Sequence, residues 1–427
     1  MQLGHLYKVS ILFRDSLSMQ QPRHVSVITI SVILALVHGG LAQDLRNVTE
    51  PKTPETCISL EASGGDDTEA IQNALNNCTQ GKAVALSSGI FNAGHFQIPS
   101  GVSLLVDSNV TLKAIPNPRL YGPHTCGTLT DTAGECRPFI EITDAKGTGI
   151  YGKGTIDGQG DMKLVGTNTS WYDMITKSPA GKHYNNPRLI KIKGSEDITV
   201  YQVTLKNSPY YHLTTAGTNG FTVWGVTIMA PANVGNTDAI DPTGSQNVTI
   251  AHCNVSVGDD NIAISASHAP ARHISILNNY FGSGNGMSIG SGTHYGVSDV
   301  LVSGMTLVNT INGLHIKTGG SGGGIVTRIT YENICVYDAE KPIDFSMTYF
   351  DYIGASEAEI RNITLNNVRI VTKGIFKFNG VSDANPVMAT MNDVHIAKNS
   401  RWLSNYAQIT GYISVDASGH CGWNGNI

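Results

Sequence analysis

Beyond residue 100 the apolar and polar positions alternate in short runs. Ile198-Thr199-Val200, Phe221-Thr222-Val223, Val248-Thr249-Ile250, Ile274-Ser275-Ile276, Val300-Leu301-Val302 and Ile363-Thr364-Leu365 each carry apolar or β-branched residues at alternate positions. A period of two marks a strand with one face turned inward. The first residues of the first five runs lie 23, 27, 26 and 26 residues apart. A repeat of this length is the signature of a solenoid. The strand-rich content of each repeat points to a β-helix rather than to ankyrin or leucine-rich repeats. The alternative is an ordinary β-sandwich with irregular loops, and steady spacing over at least five repeats weighs against it.

Each repeat carries a second short strand ending in a turn residue, as in Val203-Thr204-Leu205-Lys206-Asn207 and Met305-Thr306-Leu307-Val308-Asn309. Asn and Gly tolerate the left-handed backbone that a tight coil corner needs. Stacked asparagines can also ladder their amides from coil to coil. An open-ended solenoid exposes unpaired strand edges. Asp67 to Leu75 reads as a helix placed to cover one end, with Ile71, Leu75 and Cys78 on one apolar face. Asp66 or Asp67 is the expected N-cap, and a Cys57–Cys78 bridge is expected to hold this plug in place.

Composition fits this picture. The chain has 427 residues, 47 of them glycine, with 41% apolar and only 14% charged residues. Its net charge of −5 argues against a nucleic-acid partner, which favours a basic surface. Residues 1–42 read as a secretory signal segment, with a possible start at Met19. The apolar run Val25 to Val37 is short for a membrane span and ends at Gly40-Leu41-Ala42. An uncleaved anchor is the competing reading. Residues 43–427 are expected to form a single β-helix domain, monomeric and away from the membrane once the signal is cleaved.

Seven sequons, at Asn47, Asn77, Asn109, Asn168, Asn247, Asn254 and Asn362, agree with secretion. So do seven cysteines lacking any Cys-x-x-Cys pair, a pattern that argues against a zinc site. Cys57–Cys78 and Cys126–Cys136 are the favoured bridges. Cys253 sits inside an apolar strand pattern and reads as a buried free thiol.

Four short clusters then follow one another at a similar interval: Asn236-Thr237-Asp238, Gly258-Asp259-Asp260, Gly284-Asn285-Gly286 and His315-Ile316-Lys317. In a β-helix, equivalent positions on adjacent coils lie about 4.8 Å apart. These clusters should therefore share one face. For Asp259 and Asp260 both to face a groove, that stretch must leave strand geometry, and Gly258 permits it. Carboxylates crowded in one cleft raise one another's pKa values. Glycoside hydrolysis needs such an arrangement, one acid for the leaving oxygen and one base for water. A calcium site, or stacked polar residues at turns, would use the same residue types.

At these residues the chain resembles the polygalacturonases, glycoside hydrolase family 28, from about Gly64 to Cys335. Further matches are Gly154-Thr155-Ile156-Asp157-Gly158-Gln159-Gly160 with nearby Trp171, Asn207-Ser208-Pro209, Gly286-Met287-Ser288-Ile289-Gly290 and Asn312-Gly313-Leu314-His315-Ile316-Lys317-Thr318. The resemblance implies an all-β, single-stranded right-handed parallel β-helix with a short N-terminal capping helix. It also implies inverting hydrolysis of α-1,4-galacturonosidic bonds in pectin, with no cofactor and no metal. By matching positions, Asp259 is the expected general acid, and Asp238 and Asp260 position and activate water. Asn236, Asn285, His315, Lys317 and Tyr349 are the expected substrate contacts. Lys317 is expected to bind a galacturonate carboxylate.

Two groove positions depart from that family's pattern. Asn285 stands where a histidine is usual, and His315 where an arginine is usual. An amide cannot carry a proton between groups. A histidine lacks the permanent charge and the two-pronged fork of arginine. His268 or His294 is a spatial candidate for the missing imidazole. Three readings follow: an active pectin hydrolase, a weakened or inactive pectin-binding paralogue, and a calcium-dependent lyase on the same fold.

Overall fold

A computed structural model describes residues 43–131, 134–179, 182–319, 323–349 and 358–421. The expected signal segment, residues 1–42, lies outside them. No helix among the described residues is long and apolar enough to cross a membrane.

The alternating runs form a parallel β-helix. One stack of strands begins at Thr56–Glu61 and Ala83–Ser88 and runs through Glu196–Tyr201, Asn219–Trp224, Gln246–Ala251 and Ala271–Leu277 to Ala407–Ala417. A second stack holds the short partners, such as Thr204–Lys206, Thr227–Met229 and Asn254–Ser256. These two stacks fuse at Ile325–Tyr337, a strand long enough to pair with members of both. The third sheet has 11 strands, among them Ile240–Thr243, Ile262–Ile264, Met287–Gly290, Asn312–Lys317 and Lys341–Ser346.

Register explains the repeat. Ile198 pairs with Phe221, then Val248, Ile274, Val300, Ile329 and Ile363 in unbroken succession. All seven side chains are fully buried. Burying each large apolar side chain contributes about 1.5–3 kcal/mol, so one such column already outweighs any single polar contact. The irregular spacing of the runs is absorbed in loops, not in the pairing.

The corner between the first two stacks is left-handed on seven successive coils. Its residues are Gln202, Gly225, His252, Asn278, Gly304, Asn333 and Asn367, with φ between 49° and 68°. Asn and Gly hold five of the seven places, as the turn chemistry predicts. The amide ladder forms in part: Asn367 donates to Asn333 at 2.8 Å and Asn392 to Asn366 at 3.0 Å.

The capping helix spans Thr68–Asn77 and buries Ile71, Ala74 and Leu75 against the first coils. Asp67 occupies the N-cap position, but its carboxylate does not cap the helix. Instead it accepts from the backbone amides of Ser63 at 3.0 Å and Asn92 at 3.2 Å. Asp66 takes the helical contact, accepting from the Thr68 amide at 2.9 Å. Asp67 thus ties the helix to the coil beneath it. Cys57–Cys78 and Cys126–Cys136 are bridged, Cys335 pairs with Cys421, and Cys253 is a buried free thiol. Asn47, Asn77, Asn109, Asn168 and Asn362 are exposed. Asn247 and Asn254 are partly buried, and the Asn247 amide is engaged by Asn219 and by the Leu45 backbone.

Asp67→Ala should lower stability by about 1–3 kcal/mol, because two backbone amides would lose their acceptor in a buried position. Urea denaturation of the variant would show this, and an unchanged midpoint would contradict it.

Candidate active site

The acidic clusters sit on the turns that lead into strands of the third sheet. Asp238 precedes Ile240–Thr243, Asp259 and Asp260 precede Ile262–Ile264, and Asn285 precedes Met287–Gly290. Ile240 pairs with Ile262, and Ile262 with Met287. Asp238, Asp260 and Asn285 each lie two residues ahead of these pairs and so form one column. Asp259 lies one residue earlier, on a turn that is not strand. Gly258 is required there: a Cβ would lie 2.1 Å from the Val234 carbonyl oxygen and 2.6 Å from that of Pro231. His315 and Lys317 lie further along the coil, inside Asn312–Lys317, where His315 pairs with Ser288 and Lys317 with Gly290.

Carboxylate oxygens of Asp238, Asp259 and Asp260 all lie within 4.8 Å of one another. Asp259 is held from three sides. Its Oδ2 accepts from the Asn236 amide at 2.7 Å, and its Oδ1 accepts from the Asp260 amide and from Asn285 Nδ2, both at 2.9 Å. Asp260 is held at both oxygens, by Ser288 Oγ at 2.7 Å and by Lys317 Nζ at 2.6 Å. Asp238 is buried, and its Oδ1 has no hydrogen-bond partner. His212, fully buried beneath it, fixes the turn through the carbonyls of Thr237 and Asp238.

Electrostatics separate these groups. Burial pushes Asp238 well above the usual carboxylate range, and the charges of Asp241, Asp259 and Asp260 push it further. Asp241, one step along the coil, is raised well above the range by burial and by Asp260. Burial raises Asp260 as well, with Lys317 pulling it back. Lys317 is itself raised, because Asp260 outweighs the cost of burying the ammonium. Protonation is therefore favoured at Asp238 and Asp241, beside one ion pair. It also offers carboxylate oxygens to a divalent cation, but Ca²⁺ takes about six to eight oxygen ligands. Here an ammonium already occupies one oxygen of Asp260, so the donor set fits acid–base chemistry better.

In the second half of the site the imidazole is uncharged and the one ammonium is already paired. Burial pushes the His315 imidazole down to about 3, helped by Lys317, Lys341 and Lys377, so the ring is neutral at ordinary pH. Ser288 donates to Asp260, and its oxygen lies 3.2 Å from His315 Nδ1. His315 thus steadies Ser288, and through it Asp260. Lys317 is already committed to Asp260. Tyr349 is 44% exposed, with its ring 6.0 Å from that of His315 and 5.5 Å from Lys317 Nζ. Asn285 braces Asp259, and the Asn236 side chain accepts from the Tyr184 hydroxyl. His268 is exposed and lines the neighbouring cleft, and His294 is exposed in a turn. Among the described residues neither has a hydrogen bond to the carboxylates.

A cleft of about 940 Å³ adjoins the carboxylates at Asn236 and Asp241, and Lys182, Arg188, Lys191 and Tyr211 line it. Arg188 lies over the Tyr210 and Tyr211 rings at 5.9 and 5.5 Å. Cations beside aromatic faces suit an anionic sugar chain. Sequence reasoning missed Asp241, Arg188, His212 and the role of Ser288. The signal for Asp241 and Ser288 was their place one residue into paired strands, which becomes visible only once the register is known.

Residues 78–418 match the family model described as glycosyl hydrolases family 28. An endo-polygalacturonase of Pectobacterium carotovorum subsp. carotovorum is 41% identical over 391 residues, covering 90% of this chain and 97% of that protein. A polygalacturonase of Ralstonia solanacearum is 36% identical over 351 residues, 72% of this chain and 66% of that one. The solved polygalacturonase of Erwinia carotovora ssp. carotovora superposes with a TM-score of 0.84 at 41% identity, over 86% of this chain and all of that one.

The neutral His315 makes stability depend on pH. Its folded value of about 3 lies below its ordinary 6.5. The unfolded chain therefore takes up the proton first, and the contribution is complete above pH 6.5 and is lost as pH falls toward 3. The loss reaches about 1.4 kcal/mol per pH unit at most. His315→Gln should remove that increment. Denaturation curves at pH 7, 5 and 4 should converge for the two proteins, whereas parallel profiles would contradict the neutral ring.

Proposed function

The chain belongs to glycosyl hydrolase family 28 and is a polygalacturonase-like glycoside hydrolase, and from that premise we propose that it hydrolyses α-1,4-galacturonosidic bonds of polygalacturonate with inversion. Asp259 gives a proton to the leaving glycosidic oxygen as the bond to the anomeric carbon breaks. Water attacks that carbon from the opposite face, and its proton passes to Asp260. Asp238 holds the water in line. The observation that carries this reading is the three-carboxylate cluster with Lys317 bonded to Asp260.

Two features support inversion over a covalent route. Both Asp260 oxygens are engaged, and three N–H groups hold Asp259, so neither is free to swing onto carbon. Asp238, pushed toward its neutral form, is a poor nucleophile. One oxygen from each carboxylate lies within 4.8 Å of the others, closer than the roughly 6.5–9.5 Å between carboxyl groups usual for inverting enzymes, so the anomer of the first product decides between the two routes.

A second reading, a pectin-binding paralogue with little or no turnover, draws on Asn285 and His315. Asn285 braces Asp259 but cannot relay a proton, and His315 brings no charge. The acid–base carboxylates are all present, which favours turnover. The cysteine bridges and the sequons accord with a secreted protein.

Purified protein should release reducing ends from polygalacturonate, and Asp259→Asn should lower the rate by about 10²–10⁴-fold. Proton NMR of the first product should show the anomer opposite to that of the substrate. A wild-type protein that binds polygalacturonate but releases nothing at any pH would favour the binding reading. A product of retained configuration would overturn the mechanism.

A further inference from the structure

Three lysines act electrostatically on His315, and only one of them is committed to the catalytic cluster. Lys317 is bonded to Asp260 at 2.6 Å. Lys341 opens Lys341–Ser346, the strand stacked on Asn312–Lys317, and pairs in register with Asn312. Asn312 lies two residues ahead of Leu314, which pairs with Met287. Lys341 therefore continues the column that begins with Asp238, Asp260 and Asn285. Lys377, on the coil after that, pairs with Asp344, and Asp344 pairs with His315.

Asp344 is the hub of this second group. It faces away from the core, since its neighbours Ile343 and Phe345 are fully buried on the inner side. It is 4% exposed, and its Oδ1 has no hydrogen-bond partner. Lys377 Nζ lies 3.7 Å away, too far to bond it, and the Lys377 side chain is 34% exposed. Burial raises the Asp344 carboxyl, while Lys377 and then Lys341 pull against it. Among the described residues Lys341 makes no ion pair. Each ammonium carries three donors. Lys377 is thus paired loosely with a buried carboxyl, with donors to spare, and Lys341 acts on the same carboxyl through its charge from the start of the strand.

We infer that Lys341, Lys377 and Asp344 form a subsite for the carboxylate of one uronate unit, three to four coils beyond Asp260. They supply the positive charge that residue 315 does not carry. The substrate is then gripped further from the scissile bond than an arginine at 315 would grip it. This rests on the galacturonan reading given above.

The test uses the Asp259→Asn protein, so that affinity is read without turnover. Calorimetry would measure trigalacturonate and its methyl ester against this parent and against versions carrying Lys341→Met or Lys377→Met. Each lysine loss should weaken trigalacturonate about ten- to hundredfold and leave the methyl ester unchanged. Lys341→Arg should keep the affinity, because the charge remains, and unchanged melting temperatures would show that the variants are folded. Equal losses for both ligands, or no loss for either, would overturn the subsite. A parent that binds neither ligand would overturn the galacturonan reading and the subsite with it. A parent that binds, with lysine variants equal to it, would overturn the subsite alone.

Discussion

In-register parallel stacking is the constraint on which everything else here depends. Each coil lies about 4.8 Å above the last, and the pairing does not slip between Ile198 and Ile363 although the loops between differ in length. A slip of one residue would turn every apolar side chain outward. The same rule that stacks Ile198, Phe221 and Val248 into a core column stacks Asp238, Asp260 and Asn285 into the polar column of the proposed site. The left-handed corners, from Gln202 to Asn367, let the chain make that turn once per coil.

The constraint has an electrostatic cost. It brings Asp238, Asp241 and Asp260 into a nearly dry floor, where burial raises all three. Lys317 offsets part of this through its bond to Asp260. Removing one partner of such a buried pair costs about 3–5 kcal/mol, because the other charge is left uncompensated. The site is therefore an electrostatically costly region set on an apolar core. A proton-rich cluster beside one fixed ion pair is also what acid–base hydrolysis requires, so the cost and the chemistry have one origin.

Much of this was legible in the sequence. The strand period exposed the solenoid, the spacing of Ile71, Leu75 and Cys78 exposed the cap, and the nearest cysteines paired as expected. Other features depended on register, which unequal loops conceal. Asp260 rather than Asp259 shares the column of Asp238, and His315 stands beside Ser288 rather than beside Asn285. Cys335–Cys421 spans 86 residues, a pairing that no local spacing indicates. The neutrality of His315 is a property of burial, which no local motif encodes. Asp67 looked like a helix cap and proved to be a tie between helix and coil, since its acceptor capacity is used by backbone amides from two directions.

On the proposed function, the acid–base half of the groove is intact and the gripping half has been rewired rather than lost. Digestion of polygalacturonate by the natural protein, side by side with Asn285→His/His315→Arg, tests this most directly. The account predicts that the natural protein releases reducing ends and that the double substitution changes the rate by less than about tenfold, or about 1.4 kcal/mol of barrier. A silent natural protein whose double variant is active would contradict it.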